Sequence, residues 1–206
     1  MKKLYLLALC ATTIALSGCA STGVPIHATD YTPNITAPKN PIKATAFGLQ
    51  VKDLRGGDVN SIDVVKSSVD TQYGTITTFH NLELDEPMTQ YVQDALSKGL
   101  KKEGFTVSDT SRYQLTAELL QTHLTIDPGF TRATFTLKCS VNMRLLDTKT
   151  NQVIWKSQFN ATGIVKSQAS FFKNQTVPTT NAVMGSAMDN LVTELTQDKA
   201  FLSYLK

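Results

Sequence analysis

The hydrophobic and polar positions of this chain fall into two periods. In "ATFTLKCSVNMRL", Ala133, Phe135, Leu137, Cys139, Val141, Met143 and Leu145 occupy one face, and Thr134, Thr136, Lys138, Ser140, Asn142 and Arg144 the other. Strict alternation over such a length predicts a long antiparallel strand with one wet face. "DTKTNQ" then turns the chain, and "VIWKSQFNATGIV" predicts a return strand with Val153, Trp155, Phe159 and Val165 on the packed face. Upstream, "YQLTAELLQTHLTI" alternates through Tyr113, Leu115, Ala117 and Leu119, then changes phase to Leu120, Leu124 and Ile126. That slip predicts a β-bulge at Leu119–Leu120. "ATAFGLQVKDLR" puts Phe47, Leu49 and Val51 on one face of a further strand, ended by Gly56 and Gly57. "SIDVVKSSV" and "YGTITTFH" are weaker strand patterns that pair as a hairpin.

Two stretches carry the helical period instead. In "DEPMTQYVQDALSKGLKKEGF", Met88, Tyr91, Val92, Ala95, Leu96 and Leu100 make one apolar stripe. Asp85 is the predicted N-cap, Pro87 suits the first turn, Lys101 and Lys102 suit the negative end of the helix dipole, and Gly104 is the predicted stop. After a polar loop, Val183, Met184, Ala187, Met188, Leu191, Val192 and Leu195 form a second stripe, and a short helix follows Asp198. Strands with one apolar face, covered by two striped helices, predict a two-layer α+β domain with a mainly antiparallel sheet over residues 44–206.

The N-terminus has neither period. Lys2 and Lys3 precede an uncharged apolar run to residue 18, the build of a secretory signal. The run is shorter than the roughly 20 apolar residues needed to span a bilayer. It closes as Leu16, Ser17, Gly18, Cys19, which resembles the lipobox of bacterial lipoproteins; an ordinary signal peptide with a chance cysteine is the other reading. The resemblance implies cleavage after residue 18, with Cys19 lipidated as the first mature residue. Ala20, where a sorting aspartate would hold such a protein at the inner membrane, implies delivery to the outer membrane. Two or more acyl chains anchor stably without help from a basic patch. Residues 20–43 hold Pro25, Pro33, Pro38 and Pro41 and read as an extended tether reaching on the order of 70 Å at roughly 3.1 Å per residue.

The succession "GLQVKDLR", "MTQYVQDALSKGLKKEGFTV", "YQLTAELLQTHLTI" and "LVTELTQDKAFLSYLK" behind that lipobox resembles the YajG-like family of bacterial outer-membrane lipoproteins. The resemblance covers residues 44–206 and rests on apolar spacing, not on a reactive motif. It implies location and fold, and it transfers no catalytic or binding residue.

Charge and chemistry narrow the function further. Loss of Lys2 and Lys3 with the signal reduces 20 basic residues to 18 against 17 acidic ones, a formal balance of +1, which argues against a nucleic-acid partner. Cys10 leaves with the signal and Cys19 is lipidated, so Cys139 is the one thiol of the mature domain and no internal disulfide forms. Its position on the apolar face of the best strand makes it a core thiol and not a nucleophile. His27, His80 and His123 are scattered, with no metal-ligand spacing and no glycine-rich phosphate loop. Asp53 and Arg55 read as a strand-end ion pair, and Glu83, Asp85 and Glu86 as charges at a helix start. No enzyme, cofactor or metal is therefore expected. The reading is a membrane-anchored lipoprotein of the cell envelope whose periplasm-facing domain docks an envelope protein or peptidoglycan, or serves structurally. The alternative is an accessory or carrier for lipid or lipopolysaccharide transport. The adjacent aromatics Phe171 and Phe172, beyond the end of the Trp155 strand, are the candidate partner-binding residues.

Overall fold

The computed structural model describes residues 31–36, 46–65, 68–71, 74–77, 82–128, 132–168 and 173–205. Its centre is an antiparallel meander of three long strands, β6 (Tyr113–Pro128), β7 (Arg132–Asp147) and β8 (Gln152–Gln168). On the far flank of β6 lie two short strands, both parallel to it: β1 (Phe47–Asp53) beside Tyr113 to Leu119, and β2 (Ser61–Val65) beside His123 to Thr125. β5 (Leu82–Glu83) adds an antiparallel edge to β2. β3 (Ser68–Thr71) and β4 (Gly74–Thr77) form a separate two-stranded hairpin. Thus half of the expected hairpin exists as expected, whereas "SIDVV" leaves it to join the main sheet.

The alternation of β7 is realised in full: Ala133 to Leu145 are buried at every second residue and the intervening face is half-exposed. The expected bulge is present, with Leu119 opposite Val141 but Gln121 opposite Ser140, so Leu120 is the extra residue. A second bulge changes the expectation for β8. Leu145 pairs with Trp155 and Leu146 with Val153, which makes Ile154 the extra residue and turns Val153 onto the wet face, 50% exposed. Trp155 and Phe159 are buried as expected, and Val165 packs at the core margin.

Helices α1 (Met88–Lys102), α2 (Lys173–Gln197) and α3 (Lys199–Tyr204) cover the apolar face. Each predicted stripe residue of α1 and α2 is buried. Asp85 does not cap α1: the cap position is Pro87, and the Met88 N–H donates instead to the Val59 carbonyl at 2.9 Å. The C-terminus ends as expected, with Gly104 at φ +93° and the Phe105 N–H donating back to the Leu100 carbonyl. α2 starts earlier than the pattern predicts, converting the expected polar loop from Lys173 onward into helix that contains Pro178. α3 is capped by Asp198, which accepts from the Phe201 N–H at 2.9 Å. Phe201 closes one end of the core against Trp155, at 4.9 Å between ring centroids, and against Phe47 and Phe105.

Two close approaches fix the layers. A Cβ on Gly163 of β8 would stand 2.1 Å from the Val183 carbonyl oxygen of α2, so the helix crosses the strand where there is no side chain. A Cβ on Gly99 of α1 would stand 2.6 Å from Val192 of α2.

The expected free tether is not free throughout. Within residues 31–36, Tyr31 and Ile35 are buried as part of the core cluster. Lys98 and Lys102 of α1 donate to the carbonyls of Tyr31 and Pro33 at 3.2 and 2.7 Å. The packed domain therefore includes residues upstream of Ala44, because an aromatic and an aliphatic side chain four residues apart find a place on the helices.

Candidate functional site

Two polar clusters stand out among the described residues, and they differ in what they leave unpaired. The first joins Asp53 to Arg55 where the flank of β6 is broken between β1 and β2. Arg55 Nε and Nη2 donate to the Asp53 carboxylate at 2.9 and 2.6 Å. Nη1 donates to the Ser61 carbonyl at 2.6 Å and to Thr122 Oγ1 at 2.8 Å, and Nη2 also to the Val59 carbonyl at 3.2 Å. All five guanidinium N–H groups are thereby used, and the two side chains are 6% and 11% exposed. Burial pushes the Asp53 carboxyl up, but the hydrogen bonds from Arg55 outweigh it and hold the group below the usual carboxylate range. A cluster so closed has nothing to offer a ligand. It is a structural staple, as the sequence suggested, though one that ties three segments and not merely a strand end.

The second cluster is open. Residues 31–34 cross over α1 and α2 and leave a cleft of about 300 Å³, lined by Tyr31, Tyr91, Asn181, Gly185, Ser186 and Asp189 among others. Asp189 Oδ1 accepts from the Tyr31 hydroxyl at 2.7 Å and from the Asn34 N–H at 3.0 Å. The rings of Tyr31 and Tyr91 lie 6.4 Å apart, tilted at 58°. Burial raises the pKa of both phenols; the hydrogen bond to Asp189 adds to the rise for Tyr31, and the charge of Asp189 to that for Tyr91. Asn181 Oδ1 is buried and has no hydrogen-bond partner among the described residues.

The residues singled out in the sequence fare differently. Cys139 is fully buried opposite Thr122, and burial pushes its thiol up to about 12, with Arg55 pulling slightly the other way; it is not a thiolate at neutral pH. His123 lies on the wet face of β6 beside Gln121. Cys19, Phe171, Phe172, His27 and His80 lie outside the described residues. Among the described residues no three His, Cys, Asp or Glu side chains group as metal ligands, and no helix is long and apolar enough to cross a membrane. Sequence reasoning missed the cleft. Tyr31 and Ile35 inside a polar, proline-rich segment were the legible hint, whereas Asp189 and Asn181 carry no local signal at all.

The two-layer α+β fold is shared with a solved protein. A crystal structure from Xanthomonas campestris, of a family known only as a domain of unknown function, is similar over 88% of this chain and 94% of that one, with 17% identity and a TM-score of 0.54. A minor lipoprotein from Acinetobacter baumannii is similar over 55% of this chain and 85% of that one, with 16% identity and a TM-score of 0.37. The first likeness establishes the fold and no more. No curated protein matches the chain. A family model described as "Uncharacterized lipoprotein" matches residues 33–206, and the chain belongs to that family. The YajG-like resemblance is consistent with this membership.

Proposed function

We propose that this lipoprotein is held by lipid on Cys19 at the outer membrane, with its domain in the periplasm, and that it docks an envelope protein or peptidoglycan without catalysing a reaction. Membership of a lipoprotein family and the lipobox-like ending of the apolar leader support the anchor. The observation that carries docking over lipid carriage is the filled core. Leu115, Leu124, Leu137 and Val141 of the sheet and Met184, Ala187, Met188 and Leu191 of α2 belong to one core cluster and have no solvent exposure, so these side chains leave no room for an acyl chain. The cleft described above opens at the margin of that core, beside Tyr31 and Tyr91, and its lining mixes polar and apolar groups.

Metabolic labelling with palmitate tests the anchor: the wild type takes label and Cys19→Ser does not, while label on the variant overturns it. Photo-crosslinking in intact cells tests docking. A probe at Asn160, on the exposed face of β8, or at Phe171 should capture a defined envelope protein or peptidoglycan fragment. Capture of lipid alone would favour carriage. Changing Phe171 and Phe172 together to Ser should remove the capture at an unchanged melting temperature; a melting temperature lower by many degrees with capture retained assigns both rings to the core.

A further inference from the structure

Residues 31–35 hold to the helical layer through both side chains and backbone. Tyr31 and Ile35 are buried to the level of the core, at 7% and 9% exposure, while Thr32, Asn34 and Thr36 are exposed. The Tyr31 ring lies over Gly185 of α2, where a Cβ would stand 3.5 Å from it, and its hydroxyl donates to Asp189 Oδ1, which also accepts from the Asn34 N–H. On α1, Lys98 and Lys102 are one turn apart, about 6 Å of helix rise. They donate to the carbonyls of Tyr31 and Pro33, which an extended chain sets about 7 Å apart. The two matched spacings lay the segment along α1 as an extended strap, tied to α2 as well.

We propose that this strap, and not Ala44, is where the tether ends: the domain hangs from the bilayer by residues 20–30 alone, with its helical layer toward the membrane and the wet face of the sheet away from it. The inference rests on the lipid anchor at Cys19 proposed above. Cys19 and Tyr31 are 12 residues apart in sequence, so the free span is at most roughly 40 Å, about half the reach expected of a tether running to residue 43. The strap lies on the helical side of the domain, and the wet face of β6, β7 and β8 is the opposite one. A domain of this length is about 40 Å across. Turning the wet face to the bilayer would require residues 20–30 to reach round the domain at nearly full extension, which costs almost all of their conformational freedom. Residues 37–45 lie beyond the strap and add nothing to the height of the domain while the strap is docked.

The mature lipidated protein is placed in phospholipid nanodiscs whose headgroups carry an energy-transfer acceptor. The donor dye sits on one introduced thiol, from Gln93→Cys on the exposed side of α1 or Asn160→Cys on the wet face of β8, while Cys139 is buried and takes no dye. Transfer should be stronger from position 93 than from position 160. Inserting about 12 Gly and Ser residues between Gly23 and Val24 should lower transfer from position 93. The same insertion between Lys39 and Asn40 should leave it unchanged, because that part of the chain lies beyond the docked strap. Tyr31→Ser combined with Ile35→Ser should release the strap, so that the second insertion then lowers transfer as the first does; if the double variant unfolds, the two insertions in the wild-type background decide alone. An equal fall from both insertions shows the strap undocked, and equal transfer from the two positions shows the domain unoriented; either result overturns the inference with the anchor intact. Protein that does not associate with the nanodiscs at all overturns the anchor, and the orientation falls with it.

Discussion

On one flank of β6, β7 and then β8 pair along almost the whole strand, interrupted by a bulge at each pairing. On the other flank the chain makes two short parallel runs, β1 and β2, and leaves the sheet between them over residues 54–60. The first flank is held by repetition: every second side chain is apolar, and each pair repeats the last. The second cannot be held so, because the ladder stops where the flank breaks. There a guanidinium with five matched acceptors joins Asp53, Val59, Ser61 and Thr122, and the Leu54 N–H donates to the Leu119 carbonyl at 2.8 Å beside the Leu120 bulge. Long regular pairing tolerates local change, while a broken edge concentrates its stability in one residue.

That contrast predicts a graded set of effects. The largest is at the staple: Arg55→Met leaves the Asp53 carboxylate without its partner and should cost about 3–5 kcal/mol, read by urea denaturation. Replacing Asp53 by Leu in the same chain should recover part of that loss. The staple also has a pH signature. Because the folded pKa of Asp53 is lowered, its contribution is present above the unfolded value of about 3.9 and is lost as pH falls through the folded one. The gap between wild type and Asp53→Asn should therefore narrow in acid; a gap independent of pH would show that the charge is not what holds the flank.

On the regular flank, the expected losses are smaller. Gly163→Ala pushes a methyl group into the backbone of α2 and should cost about 1–3 kcal/mol, with β8 shifting against the helix. Cys139→Ala removes one buried sulfur and should cost at most about 1–2 kcal/mol, and the wild-type thiol should resist alkylation until the protein unfolds. Ile164→Thr, on the wet face at 58% exposure, should change stability by less than about 0.5 kcal/mol. A loss at Ile164 as large as that at Arg55 would reverse the comparison and point to a buried contact on the sheet's outer face.

Periodicity alone was enough to read β6, β7, the stripes of α1 and α2, the Gly104 stop and the Asp198 cap. In each, a face repeats every two residues or every three to four, or a single residue type answers a local backbone demand, so nearby residues contain the whole cause. Tertiary structure decided the rest. Val153 looked like a core residue until the Ile154 bulge turned it outward, a choice made by pairing with β7. Asp85 looked like a cap until the Val59 carbonyl took the first amide of α1. Arg55 and Thr122 are far apart in sequence and meet only because β6 runs parallel to both halves of a broken flank. Tyr31 and Asp189, 158 residues apart, form the cleft only when the N-terminal segment lies across two packed helices. Hydrophobic patterning is a one-dimensional signal that specifies which face is buried; which polar groups are brought together across long loops depends on the three-dimensional closure of the chain, and that is where this protein's candidate site lies.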